Sequence, residues 1–450
     1  MTRVLSFLWI LGIALPWGWA AEPQTGKPNI LLILADDVGR EVLECYGGTS
    51  YATPQLNRLA HRGLRFTQAY AMAVCHPTRI SLLTGQYPFH LGDPRWGTFP
   101  EFAEQKTVAH VLRGAGYATA IAGKWQLSLL KDDLDHPHRL GFDTYCLFGW
   151  HEGPRYYQPT IWQDGKLRED VRERFGPDVY CDFLIDFMKR NQHRPFFAYY
   201  SMGLCHAVTN DLPKPPPLGP NGRYPSYTEM VTAMDQHVGR LMDSLEQLNL
   251  SKSTLVLFVA DNGTPHDIIE TAVGDRLVYR PVVSKLGEAE IPGGKGQLTD
   301  WGTRVPMIAS WPKKIASGQV TDTLVDVSDF LPTLAALADA QLPRSWALDG
   351  HSFASKLLGE PQAGHGLPNQ RQWVFAQHKE HAFVKDQRWK LYGDGRFYDT
   401  QNDPWEKQSI HHEQLSPPAA TSRKNLEQAI QRLGLPNKYR NASNPKNKSS

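Results

Sequence analysis

The chain is predicted to be an α/β protein: a mostly parallel sheet flanked by helices, followed by a small C-terminal antiparallel α+β subdomain. Two apolar runs, Asn29–Ala35 and Leu255–Ala260, lack the alternation of a half-exposed strand, so they read as strands buried on both faces. Helical patterns separate the strand patterns along most of the chain, as crossover connections require. From about Leu342 the pattern changes to short strands between turn-like residues, at Trp373–Phe375, His381–Val384 and Trp389–Tyr392.

The elements follow in order. Asn29–Ala35 stops at Asp36 and Asp37. A helix opens after Thr53, which can cap it, with Pro54 in its first turn and Gly63 at its end. Leu64–Tyr70 reads as one strand, Thr107–Gly114 as a helix, and Tyr117–Ala122 as a strand leading into Gly123-Lys124-Trp125. Tyr180–Arg190 is helical with Phe183, Phe187 and Met188 on one side, and Pro195–Tyr200 is a strand ending near His206. Tyr227–Leu248 is the longest helix, with Val231, Met234, Val238, Leu241 and Leu245 at core-facing spacing. Leu255–Ala260 ends in Asp261 and Asn262. The proline-rich stretch from Pro213 to Pro225 reads as a surface loop near a site mouth. Residues 422–433 suit one more helix, and beyond Pro436 the Lys, Asn and Ser composition predicts disorder.

With 48 basic against 46 acidic residues and a net charge of +2, the chain offers no overall basic character for nucleic acid. Arg3 followed by the apolar run Val4–Leu15, with Gly18 and Ala20 as a small-x-small site, reads as a secretory signal over residues 1–20. Pro16 interrupts the run short of the roughly 20 residues a membrane anchor needs. The expected location is therefore exported, periplasmic or secreted, with no membrane span. Five cysteines, Cys45, Cys75, Cys146, Cys181 and Cys205, form no Cys-x-x-Cys zinc pattern. If Cys75 is set aside for chemistry, the other four allow three disulfide pairings, and the sequence does not choose among them.

Ligands bind beyond the carboxyl ends of strands in open α/β sheets. Asp36-Asp37 and Asp261-Asn262 both lie at such ends, and on neighbouring parallel strands they would converge as four hard oxygen ligands suited to Ca²⁺ or Mg²⁺. The competing reading is ordinary strand-end turn chemistry, where Asp and Asn are common.

Cys75-His76-Pro77-Thr78-Arg79, followed by Leu83-Thr84-Gly85, resembles the Cys-x-Pro-Ser/Thr-Arg…Leu-Thr-Gly signature of the type I, formylglycine-dependent sulfatases of the alkaline phosphatase superfamily. The resemblance runs from about Lys27 to Ile410, with motifs in family order. Gly123-Lys124-Trp125-Gln126-Leu127 resembles the family's Gly-Lys-Trp-His-Leu, His206 follows a strand, and Asp261-Asn262-Gly263 matches the second pair of metal ligands. Gly293-Gly294-Lys295-Gly296 with Arg304-Val305-Pro306, and Tyr398-Asp399 with Asp403-Pro404-Trp405-Glu406, match the later motifs.

The resemblance implies an alkaline-phosphatase-like fold; with the change of pattern near Leu342 this gives a catalytic domain over 27–341 and a small subdomain over 342–412, and the composition beyond them gives a helix and disordered polar tail over 413–450. It also implies that a maturing enzyme converts Cys75 to formylglycine, whose hydrate supplies the nucleophilic oxygen. Ca²⁺, ahead of Mg²⁺, would be held by Asp36, Asp37, Asp261, Asn262 and the modified Cys75, lowering the hydrate's pKa. Arg79 would hold the modified residue and the site carboxylates, Lys124 and Lys295 would bind sulfate oxygens, and His206 would protonate the leaving oxygen. The substrate class would be sulfate monoesters, with a sulfated glycan the expectation for an exported enzyme.

One position departs from the pattern: Gln126 stands where the family has His, and Ser128 replaces the usual Gly. Glutamine hydrogen-bonds but does not titrate near neutrality. Two other functions stay open: a phosphodiester or phosphonate ester hydrolase of the same superfamily, some of which also carry a Cys-x-Pro-x-Arg segment, and, on account of Gln126, a catalytically weakened protein that binds sulfated glycan. Trp150, Tyr156, Tyr157 and Trp162 are candidates for sugar stacking, against the commoner reading of aromatics as packing.

Overall fold

The computed structural model describes residues 26–208, 212–359 and 371–440. Asn29–Ala35 lies inside a ten-stranded sheet, paired in parallel with Phe196–Ser201 on one side and Thr254–Ala260 on the other. Every residue of Asn29–Ala35 and of Thr254–Ala260 is buried, which explains the unbroken apolar runs. Ala118–Trp125 and Thr144–Gly149 extend the parallel centre beyond Phe196–Ser201. On the other flank Met307–Ser310 runs antiparallel to Thr254–Ala260 and to Leu64–Phe66, and Gln319–Thr321 closes that edge. The short hairpin Trp162–Gln163 and Lys166–Leu167 forms the opposite edge. The predicted class, a mostly parallel α/β sheet, is the one observed.

Helices flank the sheet as two packed groups. Pro54–His61, Gly176–Arg190 and Tyr227–Gln247 form one; Cys75–Thr84, Val108–Gly114 and Phe330–Leu337 form the other. The longest helix begins with a reciprocal capping box between Ser226 and Glu229, satisfying two of its orphan donors. The helix expected from Tyr180 starts earlier, at Gly176, because Pro177 fits a first turn that has no use for its missing N–H.

The expected strand Leu64–Tyr70 is broken. Leu64–Phe66 belongs to the large sheet, whereas Ala69–Tyr70 pairs with Val325–Asp326. Between them Arg304 Nε donates to Thr67 O at 2.7 Å, and that carbonyl is lost to any strand ladder.

The C-terminal sheet is an antiparallel meander of Val374–His378, His381–Lys385, Trp389–Tyr392 and Phe397–Asp399. Helix Pro417–Arg432 covers it through Ala419, Leu426 and Ala429, so this helix shares the small sheet's core. The disorder expected beyond Pro436 is corrected at Asn437–Arg440, which form a short helix. Tyr439 is buried there, and Gln377 Nε2 donates to its hydroxyl at 2.8 Å. Residues 441–450 and the expected signal at 1–20 lie outside the described residues. All five cysteines are free, so none of the three possible disulfide pairings forms. Among the described residues no helix is long and apolar enough to cross a membrane.

Candidate active site

The register Ala35 opposite Ala260 places Asp36-Asp37 beside Asp261-Asn262 at the carboxyl edge of the sheet. All four are buried. The backbone N–H of Asp37 donates to Asp261 Oδ1 at 3.2 Å, and Asn262 Nδ2 donates to Asp37 Oδ1 at 2.8 Å. Tyr227 steadies the turn from behind, its hydroxyl donating to Asp37 O at 2.7 Å.

Cys75 is the first residue of helix Cys75–Thr84 and is fully buried. Its position at a helix N-terminus favours negative charge at that point. One turn on, Arg79 shares the helix face with Cys75, and its Nη2 lies 2.7 Å from Asp261 Oδ2 and 3.5 Å from Asp36 Oδ2. Its Nη1 donates to Ser201 Oγ. Thr78 Oγ1 donates to Asp261 O at 2.7 Å, fastening this helix to the Asp261 turn.

Lys124 comes from the end of Ala118–Trp125 and donates to Asp36 Oδ2 at 2.5 Å. Gly123 is required there: its φ is +105°, and a Cβ would lie 2.1 Å from Ser201 O. Lys295 arrives on a loop fixed by its own N–H to Thr264 O at 2.9 Å and by Gly296 N–H to Ala73 O at 2.8 Å. Its ammonium donates to Asp37 Oδ2 at 2.7 Å. His206 Nε2 faces Asp37 Oδ2 at 3.9 Å, while its Nδ1 lies 2.9 Å from Ala207 O. Gln126 is fully buried, and neither its Nε2 nor its Oε1 has a hydrogen-bond partner. The structure thus brings Asp36, Asp37, Cys75, Arg79, Lys124, His206, Asp261, Asn262 and Lys295 together, with Gln126 following Lys124 just past the end of its strand.

Electrostatics sort the acids. Burial pushes Asp36 up, but Lys124, His206, Arg79 and Lys295 outweigh it and hold the carboxyl well below its ordinary value. Asp261 goes the other way, pushed up to about 7 by burial and then by Asp36. Burial is also the main reason the Cys75 thiol is raised, so the unmodified side chain stays a neutral thiol at neutral pH. His206 is held well below its usual value by burial and by Lys295 and Lys124.

A hard cation fits this donor set. Oxygen and sulfur donors of Asp36, Cys75 and Asp261 all lie within 4.8 Å of one another. Asp36 Oδ1 and Asn262 Oδ1 are buried oxygens with no hydrogen-bond partner, an expensive state unless something else satisfies them.

The aromatic candidates separate. Trp150 stands edge-on to His206, with ring centroids 6.0 Å apart. Tyr156 is buried instead, its hydroxyl donating to Gly203 O at 3.0 Å and His206 O at 2.5 Å, so it supports the His206 turn. Tyr157 packs on Phe175, and Trp162 sits in the edge hairpin. The loop from Pro213 presents Gly219 against Tyr157. Sequence reasoning missed Trp96, half-exposed beside Trp150, and Arg155, 3.4 Å from His206 Nδ1. Both lie in irregular segments with no periodicity to mark them.

The sheet, the carboxylate edge and the Cys75 helix define the alkaline phosphatase superfamily. Within it the chain belongs to the sulfatase family, whose model matches residues 28–340, and a model for the C-terminal region of N-sulphoglucosamine sulphohydrolase matches residues 295–433. It is a sulfatase, a sulfate ester hydrolase. It is 34% identical to arylsulfatase A of Bos taurus over 431 residues, covering 85% of this chain and 79% of that protein. It is 32% identical to N-acetylgalactosamine-6-sulfatase of Sus scrofa over 375 residues, covering 76% and 67%. Among solved structures, Ps i-CgsB in complex with k-i-k-neocarrahexaose superposes with a TM-score of 0.71 at 24% identity, over 93% of this chain and 94% of that one. BT4656 in complex with its substrate D-glucosamine-2-N,6-O-disulfate superposes with a TM-score of 0.68 at 21% identity, over 94% and 100%.

Proposed function

We propose that this sulfatase cleaves sulfate monoesters of a sulfated glycan, using a formylglycine made from Cys75 and a bound Ca²⁺. The observation that carries the reading is the convergence of Cys75 with Asp36 and Asp261 within 4.8 Å, flanked by Lys124 and Lys295. A neutral, buried thiol is a poor nucleophile, which favours an oxygen nucleophile at this position. Relatives named for N-acetylgalactosamine 6-sulfate support a sugar sulfate as substrate.

The cation would be held by Asp36, Asp37, Asp261, Asn262 and the oxygen that replaces Cys75 Sγ. When bound it supplies Lewis-acid polarisation of that oxygen and of the sulfate group. The protein's own residues do the rest. Lys124 and Lys295 exchange their carboxylate partners for sulfate oxygens and neutralise charge that grows in the transition state. Arg79 keeps Asp261 and Asp36 fixed. His206, neutral in the free enzyme, gains basicity beside an anionic sulfate and carries the proton that the leaving alcohol oxygen takes up at Nε2. Ala207 O holds the other ring nitrogen, fixing the tautomer.

Export and a maturing partner enzyme belong to the same proposal, resting on the Arg3 to Ala20 pattern and the Cys75-x-Pro77-x-Arg79 segment. The test is release of inorganic sulfate by protein coexpressed with a maturing enzyme, across sulfated glycans, aryl sulfates and phosphodiesters. Sulfate release from glycan fragments supports the reading. Turnover confined to phosphodiesters, or binding of glycan with no release from fully converted protein, would replace it.

A further inference from the structure

Arg155 takes no part in the chemistry proposed for the sulfate ester, yet it is packed beside it. The residue is 4% exposed, and its Nη1 lies 3.4 Å from His206 Nδ1. That contact is not a full hydrogen bond when Nδ1–H donates to Ala207 O at 2.9 Å. The guanidinium carbon stands 5.1 Å from the Phe148 ring centroid and 5.4 Å from that of Trp150. Trp150 in turn lies 5.4 Å from Lys124 Nζ, so one ring borders both cations.

The bland explanation is packing: an arginine covering two aromatic rings contributes a modest cation–π attraction. It accounts for the faces of the guanidinium and leaves out its edge. Arg155 Nε is buried with no hydrogen-bond partner. No carboxylate among the described residues pairs with Arg155. Glu152, its nearest acidic neighbour in sequence, accepts the backbone N–H of Lys131 at 3.1 Å. Among the described residues this desolvated cation therefore has no counter-ion, an unfavourable state that an oxyanion of the substrate would relieve. The planar fork of arginine matches carboxylate and sulfate oxygens in two-point contact.

We infer that Arg155 is a specificity-determining residue whose N–H edge binds a second oxyanion on the substrate, on the leaving-group side of the scissile ester. The position follows from its contact with His206, and the inference thus rests on the reading of His206 as the group that serves the leaving oxygen. The preferred substrate is then a sugar sulfate carrying one further negative group, a carboxylate or a second sulfate, within one ring of the bond that breaks. A substrate with a neutral leaving group would leave the Arg155 edge unsatisfied and forfeit that contact.

The experiment compares kcat/KM of the wild type, Arg155→Met and Arg155→Lys on four probes: 4-nitrophenyl sulfate, N-acetylhexosamine 6-sulfate, a disulfated hexosamine and a monosulfated uronate disaccharide. Arg155→Met keeps length and loses charge; it should lower kcat/KM by about 10- to 100-fold on the probe bearing the recognised anion. The loss should sit mainly in KM, with less than about a threefold change on the two singly charged probes. Arg155→Lys, which keeps charge without the fork and covers the case of a poorly folded Met variant, should fall between. The probe that shows the split, uronate or disulfate, identifies the anion. Equal losses on all four probes would mean Arg155 acts through His206 alone, and equal rates on all four would mean it reads nothing; either overturns the inference. Wild-type protein that releases no sulfate from any probe would refute the sulfatase reading separately. In that event calorimetric binding of glucuronate and of hexosamine sulfate decides on Arg155: equal affinities for wild type and Arg155→Met would sink it.

Discussion

Asn262 donates its amide Nδ2 to Asp37 Oδ1 at 2.8 Å, and its own Oδ1 is left buried without a partner. The pair thus leaves one buried acceptor unsatisfied, as Asp36 Oδ1 also is. Lys124, Lys295 and Arg79 occupy the remaining carboxylate oxygens, so the cluster holds together while still presenting two oxygens to a hard cation.

This arrangement predicts pH-dependent calcium stabilisation. Asp261 is pushed up to about 7, by burial first and by Asp36 second. A carboxyl with a raised folded-state pKa favours folding in its protonated form, and that contribution is lost as pH climbs from its unfolded value towards 7. Asp36, held low, stays ionised throughout this window and does not change the trend. A bound cation displaces the Asp261 proton and reverses the effect. Added Ca²⁺ should therefore raise Tm by several degrees more at pH 8 than at pH 5.5. Asp261→Ala should abolish the shift and the activity. Equal shifts at both pH values would contradict the assignment of Asp261 as a ligand.

Cys75 carries the second prediction. Because it is fully buried at a helix start, the conversion proposed for it would have to precede folding. Mass spectrometry of the peptide spanning Cys75 should show the aldehyde or its hydrate when a maturing enzyme is coexpressed, and an intact thiol when that enzyme is added only after folding. Cys75→Ala should remove turnover completely and cost roughly 1 kcal/mol of stability, the scale of a small buried truncation. Full activity from protein retaining the thiol would defeat the mechanism.

Much of this site was legible because the chain writes it locally. Asp36 and Asp261 each follow an unbroken apolar run, and Cys75 and Arg79 sit one helical turn apart. What the sequence left open was that the two strands are neighbours, a pairing across 225 positions that only the register of Ala35 with Ala260 establishes. The break in Leu64–Tyr70 has the same origin: the group that takes Thr67 O belongs to Arg304, 237 positions away. Arg155 was invisible for another reason. Loops carry no periodicity, and an arginine between glycine, proline and tyrosines looks like a surface residue until packing buries it.

A third prediction concerns the joint to the C-terminal sheet. Arg371 is buried and bonds three aspartates in two segments at once, with Nε 2.8 Å from Asp329 Oδ2, Nη1 2.9 Å from Asp326 Oδ2 and Nη2 3.0 Å from the backbone carbonyl of Asp349. Arg371→Met would strand two buried carboxylates and should cost about 3–5 kcal/mol, read as a lowered denaturation midpoint. At low temperature the folded fraction should keep its specific activity, since no residue of the catalytic cluster is touched. A destabilisation below about 1 kcal/mol would show that the network contributes little.

The fourth prediction concerns Gln126, where the family has histidine. The structure sharpens the contrast: both amide atoms are buried and have no hydrogen-bond partner among the described residues, so donor and acceptor alike are left for a bound group. Ser128 does not fill that role: its hydroxyl accepts from Trp125 Nε1 at 2.9 Å, and the Gln126 amide has no bond to it. His76 is a poor substitute base, since burial holds it down to about 4 while its Nε2 contacts Thr98 O at 2.9 Å. If the site lacks a titrating group at position 126, substrate capture by Lys124 and Lys295 should be normal while the step that needs proton removal is slow. KM should then be ordinary and kcat low. Gln126→His restores a base and should raise kcat by about 10- to 100-fold with KM within about threefold, the scale of one acid–base group. The restored activity should also gain a pH dependence absent from the wild type, falling as the imidazole protonates below about 6.5. Loss of activity in Gln126→His, in protein with unchanged Tm, would mean instead that the amide itself is used, donating and accepting at the substrate where an imidazole cannot do both. An unchanged kcat would show that neither the amide nor a base at this position limits turnover.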